Sequence, residues 1–235
     1  MKTGLLFLFL LLGTVFCYGQ PNGELVKSGN AKADRQDYKG SIDDFTKAIA
    51  MDPKDALPYF NRANSKLSLK DYPGAIVDFS RAIELHPMYV EAYFNRGVTK
   101  AEMEDFAGAL ADYKKVIELN PRDSLAHNNM GVAKAGMKDY TGAVAEFNKA
   151  ITMYPKYADS YYGRGSAKGN LKDYKGALAD FTRTLELNPG HANAWYFRGL
   201  TKVMLGDKEN GCQDLQKAGL LGQADAQEVI LTNCR

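Results

Sequence analysis

Residues Val90–Asp123, VEAYFNRGVTKAEMEDFAGALADYKKVIELNPRD, form a unit that the chain repeats every 34 residues. Three kinds of landmark recur at this spacing, an aspartate, a glycine and a proline. The aspartates are Asp37, Asp71, Asp105, Asp139, Asp173 and Asp207, the glycines are Gly40, Gly74, Gly108, Gly142 and Gly176, and the prolines are Pro53, Pro87, Pro121, Pro155 and Pro189. A fixed period without insertions indicates stacked supersecondary units that bury their apolar faces against one another.

Each unit is predicted to contain two helices. Small and apolar residues recur three or four apart in both halves, as at Tyr93 and Gly97 and again at Ala109 and Tyr113, which is the period of an amphipathic helix. The proline near the end of the unit ends the second helix, because it lacks an N–H and disfavours helix in the residue before it.

Placing the proline at position 32 of the unit divides the chain into six repeats. They are Asn22–Asp55, Ala56–Tyr89, Val90–Asp123, Ser124–Tyr157, Ala158–His191 and Ala192–Asp225. Position 8 is glycine or alanine, which would let two helices approach closely, and position 24 is bulky throughout. Position 23 is acidic and position 26 basic in all six repeats, for example Asp78 and Arg81. We expect these residues to form ion pairs on an exposed helix face, each contributing about 0.2–0.5 kcal/mol.

The pattern resembles the tetratricopeptide repeat. Residues preferred in that family stand at Tyr93, Gly97, Ala109, Tyr113 and Pro121 of the third copy, and the resemblance extends over all six repeats. It implies an all-α fold, a right-handed superhelical solenoid of six helix pairs whose first helices line a concave groove. We expect one solenoid over residues 20–235, ending in a capping helix within residues 224–235.

Residues 1–20, MKTGLLFLFLLLGTVFCYGQ, have the pattern of a secretory signal peptide. One basic residue precedes the apolar run Leu5–Leu12, which is too short for a comfortable membrane span, and smaller residues follow. We predict cleavage after Gly19 and export to the periplasm or the outside, in the style of an exported bacterial protein. A lipoprotein would need Cys17 retained and acylated, and Phe16 is bulkier than the usual acylation motif accepts.

Loss of the signal peptide would leave two cysteines, Cys212 and Cys234. An even number of cysteines in an oxidising compartment favours a disulfide. Both residues lie about equally far from the turn before the final helix, so antiparallel packing would put them level. We expect them to form a disulfide that closes the C-terminal cap, the alternative being two buried free thiols.

Charge and motif content argue against several classes of function. The net charge is +2 at pH 7, and removing the signal peptide takes away only Lys2. A near-neutral chain with interspersed signs argues against nucleic acid or anionic lipid as the main partner. The histidines His86, His127 and His191 show no metal-ligand spacing, and His127 stands where other repeats have an aromatic ring. Repeats two to five are uninterrupted, so we expect no catalytic site, metal or cofactor.

The groove is the candidate binding site. The resemblance places positions 2, 5, 9, 12 and 13 of each first helix on the concave face, with position 6 beside them. The candidate residues for binding a peptide or protein are Phe60, Asn61, Asn64, Phe94, Asn95, Asn128, Asn129, Tyr162 and Tyr196. Exposed rings can grip a partner and amides can bond an extended backbone, although the rings could instead pack between helices. Asn128 and Val132 make the groove face of repeat four small and polar, which would separate two aromatic subsites.

Some family members hold a C-terminal carboxylate with a clamp of lysines and asparagines. Asn30 and Asn61 match two of its asparagines, but Val26 replaces a lysine and Glu91 and Asn95 replace a basic pair. The clamp is therefore incomplete. The sequence predicts a monomeric, non-catalytic scaffold that binds a peptide or protein segment in its groove after export. The alternatives are a structural subunit of an envelope or secretion assembly, or an accessory module of a glycan- or wall-processing enzyme.

Overall fold

A computed structural model describes residues 21–234, which form thirteen α-helices and no strand. The signal peptide, its expected cleavage point and Cys17 lie outside the described residues. The first helices of the six repeats are α1 Pro21–Asp34, α3 Ala56–Ser68, α5 Val90–Glu102, α7 Ser124–Gly136, α9 Ala158–Asn170 and α11 Ala192–Met204. The second helices are α2 Tyr38–Met51, α4 Tyr72–Leu85, α6 Phe106–Leu119, α8 Tyr140–Met153, α10 Tyr174–Leu187 and α12 Lys208–Leu220. The capping helix is α13 Ala226–Asn233.

Packing follows chain order. Each helix contacts the helices before and after it, and the first helices of neighbouring repeats also contact one another. The first helices therefore lie on the inner side of the stack. This is the expected all-α, right-handed superhelical solenoid of six helix pairs with a C-terminal capping helix, and the fold prediction is confirmed.

The Asp-x-x-Gly landmark is a helix cap. Asp105 precedes α6 and its carboxylate accepts a hydrogen bond from the Gly108 N–H at 2.9 Å, which satisfies a donor that the first turn leaves unpaired. A β-carbon on Gly108 would collide with the same carboxylate. The aspartate and the glycine are therefore required together, and the same bond begins α2, α4, α8 and α10.

Position 24 supplies the core of each repeat. Its side chains are at most 2% exposed and are Phe45, Phe79, Tyr113, Phe147, Phe181 and Leu215. A β-carbon on Gly97, at position 8, would lie 2.7 Å from the Tyr113 ring, so glycine lets the ring lie directly against the first helix. Burying each ring contributes about 1.5–3 kcal/mol.

The acidic residues at position 23 are buried, so the prediction of an exposed ion-pair face was wrong. Asp78 is 2% exposed and accepts hydrogen bonds from Arg62 at 2.7 and 2.8 Å, with Lys66 Nζ at 2.7 Å. Arg81, the partner expected from the sequence, binds Glu84 at the surface instead. The same buried arrangement surrounds Asp112, Asp180 and Asp214. The period of one helix cannot reveal it, because the cations come from the preceding helix.

The arginine of this arrangement also joins neighbouring repeats. The Arg96 guanidinium lies 5.6 Å from the centre of the Tyr93 ring, and its Nη1 donates to Ser80 of the preceding repeat at 2.9 Å. Arg62 and Arg164 make the equivalent bonds to Thr46 and Asn148. One side chain therefore binds a buried carboxylate, contacts an aromatic ring and bonds to the preceding repeat.

Repeat four lacks the arginine that binds a buried aspartate in other repeats and has a different buried group. Met130 stands in place of the arginine and His127 in place of the aromatic ring. Glu146 stands in place of the aspartate, and its longer side chain reaches His127 Nδ1 at 2.9 Å and Lys134 Nζ at 2.7 Å. The opposing residue of repeat three is Lys114, which offers an arginine no acceptor.

Glu146 should make stability depend on acid pH. Burial alone would raise the pKa of Glu146, but hydrogen bonds from Lys134, His127 and Lys149 outweigh it and lower the pKa to about 2. A depressed carboxyl pKa adds stability above the unfolded value of about 4.3, and that stability is lost as pH falls toward the folded value. We expect wild type to exceed Glu146→Gln in unfolding free energy by about 3 kcal/mol at pH 7. Urea unfolding measured at a series of pH values should show this difference in unfolding free energy shrinking between about pH 4.3 and 2. A difference that stays constant with pH would contradict a lowered pKa at Glu146.

Candidate binding groove

Pairs of asparagines join the first helices of neighbouring repeats within the first three repeats. The Asn61 side-chain amide donates to Asn30 Oδ1, and that of Asn95 donates to Asn64 Oδ1, both at 2.9 Å. Position 6 of one repeat thus binds position 9 of the repeat before it. None of the four is buried, so each pair fixes two amides in orientation at the groove surface.

The candidate aromatic residues are half-buried rather than an exposed row. The Phe94 ring centre lies 5.9 Å from that of Tyr113, and the Phe60 ring centre lies 5.8 Å from that of Phe79. One edge of each ring therefore packs on the core of its own repeat. This is the alternative that the sequence left open, and it makes truncation of these rings a test of folding as much as of binding.

Tyr162 belongs to an aromatic group at the C-terminal end of the groove. Its ring centre lies 6.0 Å from Phe181, 4.5 Å from His191 and 6.2 Å from Phe197. Burial raises the pKa of the Tyr162 hydroxyl, against a smaller opposing effect of its hydrogen bond with Ser166. The Tyr162 hydroxyl therefore stays neutral at physiological pH.

Asn128 is not a groove-surface residue, which corrects the sequence assignment. It is 5% exposed, its Oδ1 accepts a hydrogen bond from Ser160 at 2.9 Å, and its amide donates to Asn129 at 3.2 Å. The amide is used to join repeats four and five. The groove face of repeat four instead presents Val132, which is 50% exposed, and the half-buried Asn129.

The groove contains two pockets at equivalent positions of the repeat. One pocket lies between repeats one and two and has a volume of about 210 Å³. The other lies between repeats five and six and has a volume of about 270 Å³. Both are lined by positions 9, 12, 13, 17 and 24 of one repeat and by positions 6, 9, 10 and 13 of the next. They are equivalent sites separated by four repeats.

Their chemistry differs most at three of these positions, and Asp34 of the first pocket is also replaced by Asn170 in the second. Positions 6, 9 and 13 of the second contributing repeat are Asn61, Asn64 and Ser68 in the first pocket, and Phe197, Leu200 and Met204 in the second. The sequence-based candidates include the first two asparagines but none of the three apolar residues. Comparing these positions across the repeats would have found them, whereas selecting rings and amides at fixed positions did not.

The capping helix packs against α12, the second helix of repeat six. Cys212 of α12 and Cys234 after α13 form a disulfide with the sulfurs 2.03 Å apart. Burial raises the pKa of Tyr196, and the carboxylates of Asp225 and Glu228 raise it further. The ring centre of Tyr196 lies 5.2 Å from that of Phe197.

Two further properties hold within the part of the chain that the structure describes. None of the helices there is both long enough and apolar enough to cross a membrane. No group of three or more histidine, cysteine or acidic side chains among these residues is arranged to hold a metal ion.

Three family models match the chain. A model described as "Tetratricopeptide repeat" matches residues 90–123 and 158–191, one described as "TPR repeat" matches residues 63–104, and another described as "Tetratricopeptide repeat" matches residues 125–157. Together they cover more than half of the 235 residues. No curated protein matches the sequence.

Solved structures with the same fold include several bacterial proteins. YrrB, described as a TPR protein with an unusual peptide-binding site, is 24% identical, with a TM-score of 0.63 over 79% of this chain and 96% of its own. A tetratricopeptide repeat protein from Parabacteroides merdae is 20% identical, with a TM-score of 0.69 over 93% and 86%. PilF of Pseudomonas aeruginosa is 15% identical, with a TM-score of 0.76 over 90% and 97%. At these identities the likeness concerns the fold alone.

Proposed function

The chain belongs to the tetratricopeptide repeat family, and we propose that it is an exported scaffold that binds an extended segment of a protein partner in its concave groove. The family consists of interaction repeats. To this family role the proposal adds that the partner binds to the concave face as an extended segment. The scaffold itself catalyses no reaction.

The asparagine pairs carry this proposal. Each pair uses one donor and one acceptor internally. The Asn30 and Asn64 amide N–H groups and the Asn61 and Asn95 side-chain oxygens have no partner among the described residues. An extended peptide has one donor and one acceptor per residue and no internal bonds to satisfy them. Alternating fixed amide donors and acceptors suit such a backbone regardless of its sequence.

The peptide-binding site named for YrrB is consistent with this use of the fold. Two different ends of one groove, polar at repeats one and two and apolar at repeats five and six, also suit an elongated ligand better than a compact one.

Substitution of the groove amides tests the proposal. The partner is identified by crosslinking the tagged protein in its native envelope, and its affinity is then measured by titration calorimetry. We expect Asn61→Ala with Asn95→Ala to weaken binding by about tenfold or more, since each lost hydrogen bond costs about 0.5–1.5 kcal/mol. Alanine is a better helix former than asparagine, so folding should be preserved.

The control variant is Glu84→Ala with Glu186→Ala. Both glutamates are exposed on second helices, outside the groove. Weakened binding in this control, with unchanged binding in the amide variant, would contradict the groove and favour an assembly role through the outer face.

Export is proposed from the pattern of residues 1–19. Cell fractionation should recover the protein outside the cytoplasm, and intact mass spectrometry should show a chain beginning at Gln20. Recovery in the cytoplasm at full length would contradict export, and an acylated Cys17 would indicate the lipoprotein alternative.

A further inference from the structure

We propose that the pocket between repeats five and six is the specificity site of the groove, which accepts a large apolar or aromatic side chain from an extended segment of the partner. This inference rests on the proposed groove function and names the chemistry of its ligand.

The lining of this pocket is apolar where the equivalent pocket is polar. Phe197 is 36% and Met204 60% exposed, whereas apolar residues of a stable core are normally withdrawn from water. Leu200 lies with them, on the same face of α11. The repeat itself does not require these residues, because Asn61, Asn64 and Ser68 occupy the same positions in α3, which packs equally well. Their apolar character is therefore a property of this pocket and not of the solenoid.

The size of the pocket suits one ring. Cavities of about 150 Å³ hold a benzene molecule, and this pocket has about 270 Å³. Phe181 lies at its base and Phe197 on its side, with ring centres 6.1 Å apart. That separation falls within the range of favourable aromatic contacts, so an entering ring would find aromatic faces already in position. Ser166 and Asn170 at the rim can bond the backbone of the bound segment.

No charged side chain is among the residues that line the pocket. Arg198 and Lys202, on the helix that carries Phe197, are both bound to the buried Asp214. The pocket therefore selects its ligand by apolar contact and not by charge.

Selection of random peptides displayed on phage by the folded chain tests the proposal. We expect the wild-type protein to enrich peptides with a large apolar or aromatic residue. The matched variant carries the residues of the first pocket, Phe197→Asn, Leu200→Asn and Met204→Ser. It should lose the apolar preference and bind a synthetic wild-type-selected peptide about 10- to 100-fold more weakly, the change expected when a large apolar side chain loses its burial.

A second variant guards against misfolding. Met204→Lys changes an exposed side chain, so folding should be preserved, and the new charge should oppose burial of an apolar side chain in the pocket. Met88→Lys makes the same change at a residue that is 68% exposed in the turn before α5 and should leave peptide binding unchanged.

The outcomes separate this inference from the proposed function. Selected peptides without a large apolar or aromatic residue, or unchanged binding by the Phe197, Leu200 and Met204 variants, would overturn the specificity site. The proposed groove function would still be supported if Asn61→Ala with Asn95→Ala weakened binding of the same peptides. Peptides that respond to neither set of substitutions, or no enriched peptides at all, would overturn both.

Discussion

Asp112→Asn is expected to lower the free energy of unfolding by about 3–5 kcal/mol, the usual result of removing one member of a buried ion pair. Asp112 is 3% exposed and accepts bonds from Arg96 at 2.6 and 3.0 Å, with Lys100 Nζ at 2.8 Å. Asparagine would leave two partly buried cations without a counter-charge and would direct an amide N–H at one of them. Urea unfolding measures the change.

The control lies on the same helix. Glu118 pairs with Lys115 at 2.8 Å, but both side chains are well exposed. Exposed pairs contribute about 0–1 kcal/mol, so Glu118→Gln should change stability little. Equal effects of the two substitutions would show that the buried arrangement does not hold the helices together.

Removing the disulfide is the second change with a large expected effect. Cys212 and Cys234 are 22 residues apart, and closing a loop of this size contributes about 3 kcal/mol in the chain-entropy model. Within α13 the buried side chain is Ala226, so little packing opposes its release. Cys212→Ser with Cys234→Ser should therefore greatly accelerate amide hydrogen exchange in α13, as measured by mass spectrometry.

The loss should be local. In a solenoid each repeat contacts its neighbours alone, so exchange in α5 and α6 should stay close to that of wild type and serve as the internal control. Two free thiols in the oxidised protein, found by mass spectrometry under non-reducing conditions, would contradict the bond. Unchanged exchange in α13 after its removal would contradict the role of the bond in holding the cap.

Much of the fold could be predicted from the repeat. The aspartate, glycine and proline landmarks act through local chemistry, since a cap, a steric exclusion and a missing N–H each involve residues a few positions apart. These landmarks were enough to predict the helix pairs, their number and the capping helix. One local feature was not apparent. Position 15 of repeats one to five takes φ values of 61–64°, at Gln36, Lys70, Glu104, Lys138 and Lys172, a left-handed conformation that their residue types do not signal.

The site was predicted less completely. The asparagines of the first three repeats were identified by position, and the structure brings them together as Asn61–Asn30 and Asn95–Asn64. Asn128 has the same residue type at a groove position, yet it is buried and bonded to Ser160. The periodicity of one helix gives the direction of a side chain but not whether the next repeat covers it.

The sequence by itself determined the solenoid, because a 34-residue period leaves each unit no way to bury its apolar face except against its neighbours. Tertiary structure alone decided which polar groups are inside and which apolar groups are outside. Asp78 is buried because α3 supplies its cations, and Met204 stays exposed because none of the described helices covers it at the pocket between repeats five and six. Both depend on contacts between helices, which a pattern within one helix cannot express.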